Sequence, residues 1–272
     1  MSRSDLRRVG AAIFAVLRRD LQMTLTYRFT LVSQWTGMFF TLTLFHFVSQ
    51  LVRVREFASP EAYYAFAVVG LVILQMLNST LQGPPGALRS EMIAGTFERL
   101  VLSPLGATRA LFAAMLFPFV MAVLSGFVML GFAAAAFGLP LRWSTAGLAL
   151  PAAMLGALAF APFGVALVAL TILFKQANAG TTFIVAGISL VSGLYFPVSL
   201  LPGWVRWTAY VQPFTPSAEI LRSVLVGTPL REPLAIELTK IIGFTAVLFP
   251  LSVLALRSAL HASQRRGTII EY

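Results

Sequence analysis

RSEMIAGTFERLVLSP, residues 89–104, is the one polar, helix-competent segment caught between two long apolar runs. On a helix, Glu91, Gly95 and Glu98 fall at i, i+4 and i+7 and share one face. Ile93, Phe97, Leu100 and Val101 repeat that spacing on another face, and Ser103-Pro104 ends the helix. The spacing therefore predicts a short amphipathic helix over 88–103 with a carboxylate stripe. Placed between two membrane spans, such a helix is a contact point for something outside the bilayer.

The flanking composition makes the bilayer necessary. Of 272 residues 58% are hydrophobic and 11% are charged, and the mean hydropathy is +0.85. Soluble domains carry roughly a quarter charged residues, so the chain reads as an all-α polytopic membrane protein. The net charge of +10 does not indicate nucleic acid, because the Arg residues stand at the ends of apolar runs rather than in an aromatic-lined groove. Topogenic charge explains them better. With no Cys and two His, disulfides, thiol chemistry and Cys- or His-based metal sites are excluded as working readings.

Six apolar runs are long enough, or nearly so, to cross a hydrocarbon core of ~30 Å. They cover about 29–52, 62–81, 110–138, 146–174, 179–201 and 236–257. The last is the least clean: only 241–256 is free of charge, so Lys240 and Arg257 sit at interfaces and snorkel. Ahead of the first run, 3–22 is an amphipathic helix. Leu6, Val9, Ile13, Val16 and Leu17 form one face, and Arg8, Ala12, Ala15, Arg19 and Gln22 another. Arg7, Arg8, Arg18 and Arg19 flank its apolar centre on both sides and no small-residue cleavage site follows, which argues against a signal peptide. Surface anchoring and contact with a partner are both open for it.

With the N-terminus inside, 13 Lys and Arg fall in inner segments and 7 in outer ones, four of the latter in one long loop where the rule is weak. Both termini, and the 88–103 segment, are thus expected on the cytoplasmic side. In the fourth run Ala153, Ala157 and Ala161 make a small-residue stripe suited to close helix packing, with Pro162 expected to kink the backbone beyond it.

The second informative stretch, 193–227, is GLYFPVSLLPGWVRWTAYVQPFTPSAEILRSVLVG. Pro197 and Pro202 interrupt the outer end of the fifth run. Trp204, Trp207 and Tyr210 recur at helical spacing, as in an aromatic belt. Thr215-Pro216 resembles an N-cap followed by Pro at the first helical position. Glu219 and Arg222 stand at i, i+3 and are expected to pair. The loop 202–227 therefore reads as short interfacial or re-entrant helices: a lid, a gate or an anchor.

The charge-free parts of the runs, 241–256 in the last, hold no carboxylate, Lys or Arg, which disfavours ion-coupled transport. His46, near the outer end of the first run, is expected to be a hydrogen-bonded interfacial residue rather than a proton relay. Sodium sites built from backbone carbonyls stay open. No carboxylate pair or Ser/His constellation supports catalysis, so no catalytic residue is assigned. A Walker A loop is missing too: Lys175 precedes Gln176 and Lys240 precedes Ile241. Any ATP and Mg would be bound by another polypeptide, and this chain itself needs no cofactor.

Two motifs carry a resemblance. Glu91, the run Gly95-Thr96-Phe97-Glu98, then Ser103-Pro104 resemble the coupling segment between spans two and three of type-2 ABC transporter permeases. Phe196-Pro197, Leu201-Pro202 with Trp204, Pro213 with Thr215-Pro216, and Leu221-Arg222 resemble that family's series after span five. The resemblance covers nearly the whole chain. It implies a permease subunit of an ATP-driven exporter in the plasma membrane, a bacterial inner membrane by expectation. The subunit would dimerise, expected as a homodimer, and bind two copies of a cytoplasmic ATPase.

By position, Glu91, Gly95, Thr96, Glu98, Arg99, Ser103 and Pro104 would belong to the coupling element, and the 3–22 helix would be the connecting helix. Pro197, Pro202, Trp204, Pro213, Glu219 and Arg222 would belong to an outer gate. Gln75, Asn78, Tyr195 and Phe196 would line the pathway; helix–helix hydrogen bonds or lipid-facing rings are the competing roles for them. Family cargoes are drugs, lipids and lipid-linked polysaccharides. The polysaccharide branch often carries Arg-Tyr-Lys before span one, where this chain has Thr26-Tyr27-Arg28-Phe29, so a lipophilic small molecule or lipid is favoured. The alternatives are a gradient-driven carrier or channel without an ATPase, and a purely structural membrane partner.

Overall fold

The computed structural model describes residues 3–51, 56–97, 107–174 and 178–265, the side chains of 3–9, 12, 107 and 178–181 excepted. The described chain is helical with no strand. Helix α1, Arg3–Thr26, turns at Tyr27 into α2, Arg28–Leu51. Then follow α3, Pro60–Ile93, α4, Ala107–Phe137, and α5, Ala149–Phe174, which a 3-10 turn at Ala146–Leu148 precedes. Helix α6 is Asn178–Val191. After a 3-10 turn at Val198–Leu200 come α7, Gly203–Arg206, a second 3-10 turn at Trp207–Tyr210, and α8, Phe214–Leu225. Helix α9, Leu234–Arg265, is the last described.

Among the described residues five helices are long and apolar enough to cross a membrane: α2, α3, α4, a segment covering α5 with its preceding turn, and α9. The fifth expected run, 179–201, is not one long helix. Helix α6 has 14 residues, about 21 Å at ~1.5 Å per residue, which is short of the ~30 Å core. Gly193 at φ +69° and Pro197 turn the chain there, and the rest of the run becomes turns and a 3-10 segment.

Helix α3 is the axis of the fold. It is buried along most of its length, whereas α2 and α9 leave most of theirs exposed. Val68, Val72, Met76 and Leu77 of α3 share one core with Phe160 of α5 and with Phe214 and Leu221 of α8. Phe160 and Phe214 meet with ring centroids 4.9 Å apart. In lipid, apolar area alone does not bring helices together; small residues and close packing do. Ala153 and Ala157 of the expected stripe are buried, and α5 stays helical through Pro162.

The two ends of the bundle are distinct. At one, Leu88 and Phe97 pack with Leu111 of α4, Val168 and Ile172 of α5, and Leu256 and Leu260 of α9. At the other, the N–H of Arg142 donates to the carbonyl of Leu225 at 2.8 Å, and the Ser199 hydroxyl donates to Glu56 at 2.6 Å. The segments assigned inside and outside by charge thus gather at opposite ends.

His46 departs from expectation. Its ring stacks on Phe137 at 4.7 Å and meets Tyr64 edge-on at 5.1 Å. Neither its Nδ1 nor the Tyr64 hydroxyl has a hydrogen-bond partner among the described residues. The residue sits in an aromatic box rather than in a polar interface.

Candidate functional site

The polar segment is not a free-standing helix over 88–103. Helix α3 continues through it to Ile93 and is then stopped by a Schellman motif. Gly95 adopts φ +67°, the left-handed conformation that a Cβ disfavours. Its N–H donates to the carbonyl of Met92 at 3.1 Å, and the N–H of Thr96 to that of Glu91 at 3.0 Å. The expected face through Glu91, Gly95 and Glu98 is therefore broken at Gly95. Glu98, Arg99, Ser103 and Pro104 lie outside the described residues.

What the break leaves is a junction. The Thr96 hydroxyl donates to the Glu91 carboxylate, and the other carboxylate oxygen stands 2.9 Å from the guanidinium of Arg19 in α1. Arg19 also meets Asp20 at 2.8 Å. Burial pulls the Arg19 guanidinium down, but Asp20 and Glu91 outweigh it and leave Arg19 above its ordinary value. Arg18 is exposed; the side chains of Arg7 and Arg8 lie outside the described set. The amphipathic N-terminal helix and the end of the second span, separate elements in the sequence, are thus one ion-paired unit.

The outer end holds a second constellation. Glu219 and Arg222 do not pair along α8 as expected. Glu219 reaches Arg231 at 3.0 Å, while Arg222 turns inward and is 4% exposed. There it donates to the carbonyls of Phe66 at 3.2 Å, Gly193 at 3.0 Å and Leu194 at 2.9 Å. Its guanidinium carbon lies 3.5 Å from the centroid of the Phe66 ring. Burial pulls Arg222 down to about 9, against an upward pull from Glu219, so the group is still charged at neutral pH. Burial also pushes Glu219 up, with Arg231 opposing and Glu237 adding to the rise.

Gly70 makes room for this arrangement: a Cβ there would stand 1.7 Å from the carbonyl oxygen of Leu194. Thr215 is not a cap either. Helix α8 starts at Phe214 with no side-chain cap, and the Thr215 hydroxyl donates to the carbonyl of Ser192 at 3.1 Å. Pro213 presents its carbonyl to the Ser217 hydroxyl at 2.7 Å. Pro202 accepts the N–H groups that open α7, and Pro197 begins the 3-10 turn before it. Trp204 is exposed.

Along α3 the expected pathway amides already have partners on their own helix. Gln75 donates to Ser79 at 3.3 Å, Asn78 to the carbonyl of Leu74 at 3.0 Å, and Gln82 to Asn78 at 2.8 Å. Tyr195 stacks on Phe45 of α2 at 6.0 Å. Phe196 packs against the small cluster of Val198, Leu201 and Ala209. The structure does not bring these four together at one point.

The family model for ABC-2 type transporters matches residues 11–226, most of the chain and both motif-bearing stretches. The chain belongs to the ABC-2 type transporter family. Comparison with curated proteins returned no match. Membership makes this a permease subunit, a transport component that is not itself the ATPase, of a family that normally works with an ATP-binding partner.

Three features of this ABC-2 permease had no signal in the sequence: the Arg19–Glu91 bridge, the inward turn of Arg222 and a cleft. The cleft, of about 620 Å³, lies between the α1–α2 turn and α3 and α4, and Met23, Tyr27, Trp35, Ser79, Phe117 and Leu124 are among its lining. A smaller cavity bordered by Arg19, Asp20 and Glu91 shares Met23, Thr24, Ala87, Phe117 and Pro118 with it. Together they run from the ion-paired junction into the bundle.

Proposed function

We propose that this permease forms, as a homodimer, the translocation pathway of an ATP-driven exporter in the plasma membrane, powered by two copies of a cytoplasmic ATPase that dock on its 91–104 segment. The cargo is a lipophilic small molecule or a lipid. Both termini are cytoplasmic, and α6 with the turns that follow it makes a sixth pass. The excess of Lys and Arg in the inner segments supports this orientation.

The observation that carries the reading is the Arg19–Glu91 bridge. A motor pushing on the segment after Gly95 moves α1 and the end of α3 together, and α3 is the buried axis of the bundle. Force applied at one end thereby reaches the Phe66 and Gly70 region, where Arg222 holds the outer turn. Capture of the full-length permease from native membranes tests the reading: a soluble Walker A protein is expected with it. Glu98→Arg is expected to insert and fold normally while losing that protein or its coupling to transport. Unchanged recovery and unchanged transport would remove the docking assignment, and substrate movement down an ion gradient without any ATPase would favour the gradient-driven alternative.

A further inference from the structure

We propose that the bundle is two bodies joined by a hinge, and that the end carrying the Arg19–Glu91 bridge tilts against the outer end at the level of Gly83-Pro84-Pro85-Gly86. The first sign is in α3 itself. Its helix continues through these residues, although neither proline has an N–H and each disfavours helical backbone in the residue before it. The carbonyls of Thr80 and Leu81 therefore lack the donor four residues on, and the flanking glycines carry the least restricted backbone. A helix with bonds missing from its ladder bends there first.

The core divides at the same level. In α3 the outer buried cluster ends at Leu81 and the inner one begins at Leu88. In α4 the inner cluster takes Leu111 and Met115, the outer one Phe119 and Val123, and Pro118 lies between them. In α9 Ile241 belongs to the outer cluster and Leu256 to the inner, again with a proline between, Pro250. In α5 the clusters meet at Val165 and Leu167, about a turn beyond Pro162. Each of the four helices thus lacks a ladder bond near the place where its packing passes from one cluster to the other. Two of the contacts across this level are made by glycine. A Cβ on Gly83 would stand 2.9 Å from the Cβ of Pro118, and one on Gly164 would overlap the Thr80 carbonyl oxygen. Surfaces that meet without an interlocking side chain can rock.

There is also room for the motion. A cavity of about 170 Å³ lies among Thr80 and Pro84 of α3, Met115 of α4, Leu158 of α5 and Phe249 of α9. The buried Thr80 hydroxyl has no hydrogen-bond partner among the described residues. Gly83 also borders the 620 Å³ cleft, and Pro84 the cavity beside Glu91. Close-packed interiors hold few voids of this size. From Gly86 to Ile93 is about 11 Å at ~1.5 Å per residue, so a bend of ~20° moves the end of α3 by about 4 Å. The hinge needs no motor; that an ATPase drives it rests on the proposed function.

The chain has no Cys, so paired spin labels report the tilt directly. Ser90→Cys labels the inner arm of α3. It is combined in turn with Ser144→Cys and with Thr239→Cys, two exposed outer positions, so that a tilt invisible to one pair is read by the other. The full-length permease, with any partner that accompanies it, is placed in lipid nanodiscs, the labelled chain diluted in unlabelled chain. Double electron–electron resonance is expected to show two maxima several ångström apart for at least one pair. Ser90→Cys with Ser258→Cys, both on the inner end, should give one narrow distance. Pro84→Ala with Pro85→Ala restores both missing donors and should reduce the two maxima to one. Gly86→Ala, with open space at its position, should lower the smaller population severalfold, and it keeps the test valid if the proline variant fails to fold. One narrow distance for both outer pairs in wild type would mean a fixed shape and overturn the hinge. Unchanged distributions in the variants, or an equally broad Ser90–Ser258 distance, would overturn it too. Two maxima whose ratio ignores a non-hydrolysable ATP analogue would support the hinge and count instead against the ATPase reading.

Discussion

The Arg19 guanidinium lies 2.9 Å from the Glu91 carboxylate, which joins the N-terminal amphipathic helix to the last turn of α3. The pair is partly exposed, and such bridges contribute only about 0.2–1 kcal/mol to stability. Under the proposed function its importance is mechanical. Arg19→Glu is expected to leave thermal unfolding in detergent nearly unchanged while lowering substrate-stimulated ATPase activity of the assembled transporter severalfold. Arg19→Glu combined with Glu91→Arg restores the pair with reversed sign and should recover most of that loss. Failure of the double swap to recover would show that the two residues act separately.

Arg222 is a different kind of contact, because it is buried and serves three backbone carbonyls at once. Truncation to Met leaves the Gly193 and Leu194 carbonyls without this donor, each at a cost of about 1–3 kcal/mol, while the Phe66 carbonyl keeps its place in the ladder of α3. Arg222→Met is therefore expected to destabilise the protein by about 2 kcal/mol or more, read as a fall in unfolding temperature. Arg222→Lys should not rescue it. A compact ammonium on a flexible stem lacks the planar fork that reaches Phe66, Gly193 and Leu194 together and lies flat on a ring.

These two arginines also show where sequence reading stops. The apolar runs, the amphipathic face of α1 and the two motif stretches were legible because each is a local pattern with a period or a spacing. The helix stop at Gly95 was not, since a glycine inside a helical pattern is compatible with both continuation and a C-terminal cap. The fifth run looked like a full span because 179–201 carries no charge, and hydropathy does not register that the helix ends at Val191 and the chain turns at Gly193. Glu219 and Arg222 sit at pairing distance on α8, so local rules joined them. Their actual partners lie on other elements, Arg231 for one and α3 with the turn after α6 for the other. Side chains whose partners are 28 or 156 residues away have no local signature.

Gly70 offers a steric test of the same contact. Gly70→Ala places a methyl group 1.7 Å from the Leu194 carbonyl oxygen, a backbone atom that Arg222 holds in place. The outer turn must then move off α3, so Gly70→Ala is expected to lower stability by more than an ordinary large-to-small core change of about 2–5 kcal/mol, or to abolish recovery of folded protein. Gly187→Ala, with open space around its position, is the matched control and should behave as wild type. Equal thermal stability of the two variants would show that the α3 contact with the outer turn is not held as described.

Glu219 gives the outer end a pH dependence whose sign can be worked out. Burial raises its folded-state pKa above 4.5; Arg231, Arg222 and Lys240 oppose the rise and Glu237 adds to it. A raised carboxylate favours the protonated form in the folded state. Its contribution to stability is thus fully present below the unfolded value near 4.5 and is lost as pH rises through the folded value. The unfolding temperature of wild type relative to Glu219→Gln should therefore fall as pH increases from about 4.5, and level off once the carboxyl is ionised. The variant keeps a polar group opposite Arg231 but cannot titrate, so it removes this one contribution and leaves the others. A difference that stays flat with pH would place the Glu219 carboxylate in a more solvated setting, and one that grows in favour of wild type would mean that its pair with Arg231 outweighs burial.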